Sequence, residues 1–288
     1  MTIHWPMQFE VEMTLTQQRF VITGASGGIG AAIAKALAAA GATLLLCGRN
    51  QRKLTKLASE LDGDPQLFIG DLNDSASLTL LSLAAAEFNA NGVINCLGVN
   101  QLQTLAQTSD TDVLHTINTN LLTPINICRT LLPQLLSQPS ANIINVGSIL
   151  GSIGYPGSTL YCASKFGLRG FTESLRRELA DSQVKVLYFA PRATDTEINS
   201  EEMQQLNQQL GNNTDTPQWV AQQLCQRLAN APQGAAYLGW PEKLFVRINA
   251  LFPALVDGAS LKQLPIIKRF CHVETTTTPH AGEQHEAS

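Results

Sequence analysis

Hydrophobic positions along this chain come in short unbroken runs, separated by stretches with helical spacing. The runs are residues 18–23 (QRFVIT), 42–47 (ATLLLC), 66–69 (QLFI), 92–96 (GVINC), 142–146 (NIINV) and 184–189 (VKVLYF). Short runs rich in Val, Ile, Leu and Phe read as strands. Helices are predicted between them at 29–40, 51–61, 75–88, 110–136 and 159–181. The first helix is alanine-rich and stops at Gly41; small side chains let a helix lie close against a sheet. Strands that are apolar on both faces and alternate with helices call for a parallel sheet covered on both sides. The predicted class is therefore α/β and doubly wound.

The main domain is read as residues 14–240, with no internal repeat or break. Residues 1–13 read as a loose arm, with Met13 an alternative start, and 273–288 (VETTTTPHAGEQHEAS) as a disordered tail poor in apolar anchors. Between them, 241–272 reads as an amphipathic helical extension: Leu244, Phe245, Ile248, Leu251, Phe252, Leu255 and Val256 follow i, i+3, i+4, i+7 spacing. Lys243, Arg247, Lys262, Lys268 and Arg269 make it locally basic. Two readings stay open for this extension. It packs on its own domain or a second subunit, or it makes peripheral contact with an anionic membrane surface.

Composition narrows the classes. The chain has 288 residues, 44% of them hydrophobic, and a net charge of −4, so no nucleic-acid partner is expected. Open α/β domains of about 250 residues are ordinary. The start, MTIHWPMQFEVEMTLTQQ, lacks a basic cluster followed by an apolar run, and no apolar stretch reaches the roughly 18 residues of a membrane span. Six scattered cysteines without a CxxC indicate reduced thiols and a cytoplasmic setting, with membrane association left open by the extension. The five histidines include no pair at helix spacing, so no metal site is expected.

Two local patterns carry chemistry. Thr23-Gly24-Ala25-Ser26-Gly27-Gly28-Ile29-Gly30 lies between the first strand and the first helix. Glycines there permit a tight turn and let backbone N–H groups approach a pyrophosphate at the helix N-terminus. Tyr161 and Lys165, four apart on a predicted helix, leave the same face. A phenol of ordinary pKa about 10 is a sluggish proton donor near neutrality, and a nearby ammonium would favour its ionised form. As a hydrolase nucleophile Ser148 needs glycines two residues before and after it, where Val146 and Leu150 stand. That reading fails.

Together these motifs resemble the short-chain dehydrogenase/reductase family of single-domain Rossmann enzymes, over residues 18 to about 235. TGASGGIG is similar to the family's TGxxxGxG loop, Ser148 to its serine, and Tyr161-Cys162-Ala163-Ser164-Lys165 to its YxxxK motif. The resemblance implies a catalytic set of Asn120, Ser148, Tyr161 and Lys165. In it, Ser148 holds the substrate oxygen against the Tyr161 hydroxyl. Lys165 also binds the nicotinamide ribose, and Asn120 organises a proton-conducting water. It further implies cofactor contacts from Gly24, Ser26, Gly28, Ile29 and Gly30, from Asp71 and Leu72 at the adenine, and from Asn95 and Gly98. Tyr161, Lys165, Pro191, Thr194 and Thr196 complete that set.

The chain departs from the family pattern at three places. Asn95-Cys96-Leu97-Gly98 keeps only the ends of NNAG, Pro191-Arg192 replaces Pro-Gly, and Gly239-Trp240-Pro241 replaces the usual C-terminal ending. No acidic residue follows the second strand, where Gly48-Arg49-Asn50 stands. Arg49 would pair with a 2′-phosphate, which favours NADP(H) over NAD(H). The expected function is an NADP(H)-dependent oxidoreductase, a ketoreductase on a hydrophobic or acyl carbonyl/alcohol substrate. A non-catalytic NADP(H)-binding regulator is the alternative. The resemblance also implies a homo-oligomer, dimer or tetramer, through 110–136 and 159–181. Loops 150–157 and 99–102 would surround the substrate, with 199–213 as a lid.

Overall fold

The computed structural model describes residues 15–271 except 231; the arm at 1–13 and the tail at 273–288 lie outside the described residues. Seven parallel strands run in the order β3-β2-β1-β4-β5-β6-β7. They are β1 (Arg19–Thr23), β2 (Thr43–Gly48), β3 (Gln66–Ile69), β4 (Gly92–Asn95), β5 (Ala141–Val146), β6 (Val184–Ala190) and β7 (Gly234–Tyr237). Helices α1 (Gly28–Ala39), α2 (Gln51–Ala58), α3 (Ser75–Glu87), α4 (Asp110–Ile117), α5 (Thr123–Leu136), α6 (Thr159–Glu178), α7 (Glu201–Leu210) and α8 (Pro217–Asn230) follow in chain order. The doubly wound sheet expected from the sequence is present.

Side-chain alternation explains why the strands read as continuous apolar runs. Phe20, Ile22, Leu44 and Leu46 enter one core layer with Ile33 and Leu37 of α1 and Leu224 of α8. Val21 and Leu45 point the other way, into a layer with Leu81 of α3, Ile127 and Leu131 of α5 and Leu175 of α6. Both faces are covered, so both registers are predominantly apolar. The strand order reverses between β2-β1 and β4-β5, and the crevice beyond the carboxyl ends of β1 and β4 is where such sheets bind ligands.

Several elements differ from the sequence reading. The predicted helix at 110–136 is interrupted by a π-helical turn over Asn118–Leu122. Residues 199–213 contain α7, capped by Ser200, which accepts from the Met203 N–H (3.3 Å), and closed by Gly211 at φ +66°. The extension is two helices, α9 (Glu242–Leu251) and α10 (Pro253–Cys271). Pro253 has no N–H to continue a helix but suits the start of one, so the chain breaks after Phe252. The inner side of the pair buries Val246, Ile267 and Cys271, not the predicted apolar stripe.

Candidate active site

The glycine loop sits at the carboxyl end of β1, at the crevice. Gly24 has φ +66°, and a Cβ on it would lie 3.0 Å from the Cys96 carbonyl. A Cβ on Gly30 would collide with the Gly24 carbonyl oxygen. Only glycine lets loop, helix and β4 approach this closely. Gly27 precedes α1 with no side-chain cap, so first-turn N–H groups remain for an anion. This cradle fits a dinucleotide pyrophosphate.

The segment after β6 closes over the loop. A Cβ on Gly28 would strike the Thr196 methyl, and one on Gly98 would lie 3.4 Å from Ile198 Cδ1. Thr194 is buried and donates to the Arg192 carbonyl (3.1 Å). Pro191 accepts from the Ile149 N–H (3.0 Å), joining this segment to the Ser148 loop. On the far side Arg49 is exposed at the end of β2, next to Gly48, whose Cβ position is 3.5 Å from Ser26 Oγ. Asp71 is also exposed and accepts from Asn73 N–H (3.1 Å) and Asn73 Nδ2 (2.8 Å). The cap of α3 is Asp74, not Asp71. Leu72 is a core residue, 3% exposed.

Asn95 is buried, and its side chain faces the sheet interior. Thr23 Oγ1 donates to its Oδ1 (3.3 Å), and its Nδ2 donates to Asn145 Oδ1 (2.8 Å). Asn145 in turn donates to Thr172 Oγ1 on α6 (2.9 Å). This side chain ties together the ends of β1, β4 and β5.

The π-helical turn places Asn120, fully buried, against the loop after β4. Its Oδ1 accepts from Val99 N–H (2.8 Å), and its Nδ2 donates to the Val99 carbonyl (2.9 Å) and Ser164 Oγ (3.1 Å). Lys165 Nζ and Asn120 Oδ1 both approach Gly98, at 3.7 and 3.8 Å from its Cβ position. The structure thus brings Asn120 and Lys165 together, beside α6. Ser148, at the end of β5, accepts from Leu150 N–H (3.1 Å), and its hydroxyl acts on the Tyr161 phenol, favouring the ionised form.

Burial sets the protonation states. It pushes the Tyr161 phenol up to about 12, against the pull of the Ser148 hydrogen bond. Burial also brings Lys165 down to about 8. The ammonium donates to the Val146 carbonyl (3.0 Å) and lies 5.7 Å from the Tyr161 ring centroid. The phenol stands above its ordinary value, not below it, because desolvation outweighs the opposing effect of the Ser148 hydroxyl. The phenol keeps its proton, the form a donor requires.

Lys165 makes a pH signature. Its folded pKa lies below the ordinary 10.5, so between pH 8 and 10.5 the unfolded chain binds more protons and stability from this group rises with pH. Wild type should gain about 2 kcal/mol relative to Lys165→Met between pH 8 and 10, in paired urea unfolding curves. A constant difference would contradict the burial of this amine.

Two residues were missed in the sequence. Tyr188 sits in β6 under the Ser148 loop; its hydroxyl donates to the Ser148 carbonyl (3.0 Å) and accepts from the Ser148 N–H (3.2 Å). A Cβ on Gly147 or Gly151 would collide with it. A tyrosine inside the buried run Val186–Ala190 is the available signal. The other is Arg192, 16% exposed at its side chain, which grips Asp215 through Nε (2.9 Å) and Nη2 (2.7 Å) and Glu242 of α9 through Nη1 (3.1 Å).

A sequence model described as short chain dehydrogenase matches residues 18–207. The chain belongs to the short-chain dehydrogenase family. It is thus a member of an oxidoreductase family that acts between CH–OH and C=O with a nicotinamide cofactor. Nodulation protein G of Rhizobium sp. (strain N33) is 37% identical over 180 residues, 62% of this chain and 73% of that one. The 3-oxoacyl-[acyl-carrier-protein] reductase of Bos taurus is 32% identical over 191 residues, 66% and 79% of the two chains. A crystal structure of a dehydrogenase/reductase from Sinorhizobium meliloti 1021 superposes with a TM-score of 0.71 at 26% identity, covering 79% of this chain and 94% of that one. The short-chain dehydrogenase site described above contains no cluster of metal-binding side chains among the described residues.

Proposed function

We propose that this chain is an NADPH-dependent ketoreductase acting on a hydrophobic or acyl carbonyl. The observation that carries the reading is Lys165 Nζ held 5.7 Å from the Tyr161 ring centroid by the Val146 carbonyl beside the Ser148 loop (3.0 Å), with Asn120 bonded to Ser164 on the same helix (3.1 Å). The bovine relative's 3-oxoacyl specificity supports an acyl substrate. The bound nicotinamide supplies the hydride. Gly24, Gly28, Ile29 and Gly30 would hold its pyrophosphate, and Thr194 and Thr196 its other end. Ser148 Oγ orients the carbonyl oxygen and Tyr161 delivers the proton to it. Lys165 favours the phenolate left behind, whose charge a buried cation at short range stabilises far more than in water. Asn120 fixes the loop at Val99 and takes part in returning a proton from solvent through water.

Exposed Arg49, followed by Asn50 and Gln51 where an acidic residue would repel a 2′-phosphate, supports NADP(H). Arg49→Asp should lower the NADPH-to-NADH ratio of kcat/KM by about 100-fold, roughly the loss of a charge-assisted pair plus a new repulsion; an unchanged ratio would remove the assignment. Six free cysteines, five of them buried, support a reducing compartment. Exposed Leu114, Leu122 and Phe166 on the faces of α4–α5 and α6 support assembly through those helices. The reading is tested by NADPH oxidation with a panel of ketones and 3-oxoacyl thioesters; cofactor binding without turnover across the panel would count against it.

A further inference from the structure

The outer face of α9 and α10 carries apolar residues that nothing among the described residues covers. The elbow between them, Ala250-Leu251-Phe252-Pro253-Ala254-Leu255, is exposed at every position. Leu251 is 72% exposed, Leu255 and Leu261 67% each, Phe252 61% and Trp240 63%. The elbow is a formed turn, with Phe252 N–H donating to the Ile248 carbonyl (2.6 Å) and Leu255 N–H to the Phe252 carbonyl (3.1 Å).

The inner face is tied down. Asn249 donates to the Ser152 carbonyl (2.9 Å), Gln107 to the Cys271 carbonyl (3.0 Å), and Ile267 and Cys271 pack with Met203 and Leu206 of α7, Leu102 and Tyr155. The helices thus roof the loops beside Ser148 and turn their unpartnered side outward.

Charge decides between occupants. Residues 240–271 hold five basic and two acidic side chains, within a chain of net charge −4. One of the two acids, Glu242, is held by Arg192. Exposed Lys243, Arg247 and Lys262 therefore flank the apolar elbow, opposed in this segment by Asp257. A second copy would set like charges against each other, whereas an anionic surface complements them. Lys243 also lies over the Trp240 ring (5.8 Å), an aromatic–cation pairing suited to a headgroup layer.

We infer that this face docks on an anionic lipid bilayer. The elbow enters the acyl boundary while Lys243, Arg247 and Lys262 meet headgroup phosphates. No helix of the described residues is long and apolar enough to cross a membrane, so the contact is peripheral. Docking sets the roofed loops against the lipid surface.

The test is co-sedimentation of the full chain with phosphatidylcholine vesicles, with and without phosphatidylglycerol. Binding is read without turnover, so it is independent of the proposed reaction. Affinity for the anionic vesicles should be about tenfold or more above that for neutral ones and should fall with salt. Phe252→Asp with Leu255→Asp should abolish binding, and Lys243→Glu with Arg247→Glu should remove the preference for anionic lipid. Both variants should keep wild-type circular dichroism and NADPH fluorescence. Absence of vesicle binding, or binding indifferent to both pairs, would overturn the proposal. So would an elbow-dependent dimer without vesicle binding, or binding that appears only after residues 1–14 or 272–288 are removed.

Discussion

Replacing Tyr161 by phenylalanine is expected to lower kcat by about 1,000-fold while leaving NADPH affinity within a few-fold of wild type. The substitution removes one oxygen, the group whose pKa desolvation pushes up to about 12. A positioned general acid contributes about 100- to 10,000-fold. Tyr188 is committed to the Ser148 backbone, and Tyr237 accepts the Ser152 hydroxyl (3.2 Å). Steady-state kinetics beside a fluorescence titration checks both halves. Activity within tenfold of wild type would mean that the proton comes from elsewhere.

The second large effect is on stability and cofactor affinity together. Arg192→Met removes the cation between Asp215, 9% exposed at its side chain, and Glu242. Breaking a buried pair from one side strands the other charge at a cost of about 3 kcal/mol, or roughly 5 °C in Tm for a chain of this size. The same arginine lies between Pro191 and Thr194, in the segment that closes over the glycine loop. Asp215 also bonds that segment through its backbone, accepting from Asp195 N–H (3.0 Å). KM for NADPH should therefore rise. Lys53→Ala, which breaks the exposed pair with Glu197 (3.1 Å), should change stability by less than about 1 kcal/mol. Differential scanning fluorimetry on the two variants separates these cases, and equal shifts would remove the special role of Arg192.

What the sequence makes legible is whatever repeats locally. Strands buried on both faces announce themselves as apolar runs, and the glycine loop and the Tyr161–Lys165 spacing are contiguous in the chain. Features built from distant partners leave no such trace. The π-helical turn at Asn118–Leu122 adds a residue to a helix without altering its composition, so 110–136 reads as one helix. The structural bonds of Asn95 are invisible in the sequence because its partners Thr23 and Asn145 come from other strands. Arg192 reads simply as a departure from Pro-Gly until Asp215 and Glu242 are seen on either side of it. The short strand Gly234–Tyr237 lacks β-branched residues and is recruited by β6, with the Leu238 N–H bonding Ala190 at its end (2.9 Å). Phe252 and Pro253 sit inside a good helical period, and the proline's missing N–H, not the period, ends α9.

The central claim is that a hydride reaches a carbonyl held at Ser148 while Tyr161 protonates its oxygen. Its most direct test is a single turnover with NADPH deuterated at C4 of the nicotinamide and a 3-oxoacyl thioester, followed by mass spectrometry of the product. The expected result is one deuterium on the new carbinol carbon with wild type and none with Tyr161→Phe on the same timescale. Label transferred equally fast by both, or no transfer from either C4 face in a complex shown to bind the cofactor, would contradict the account.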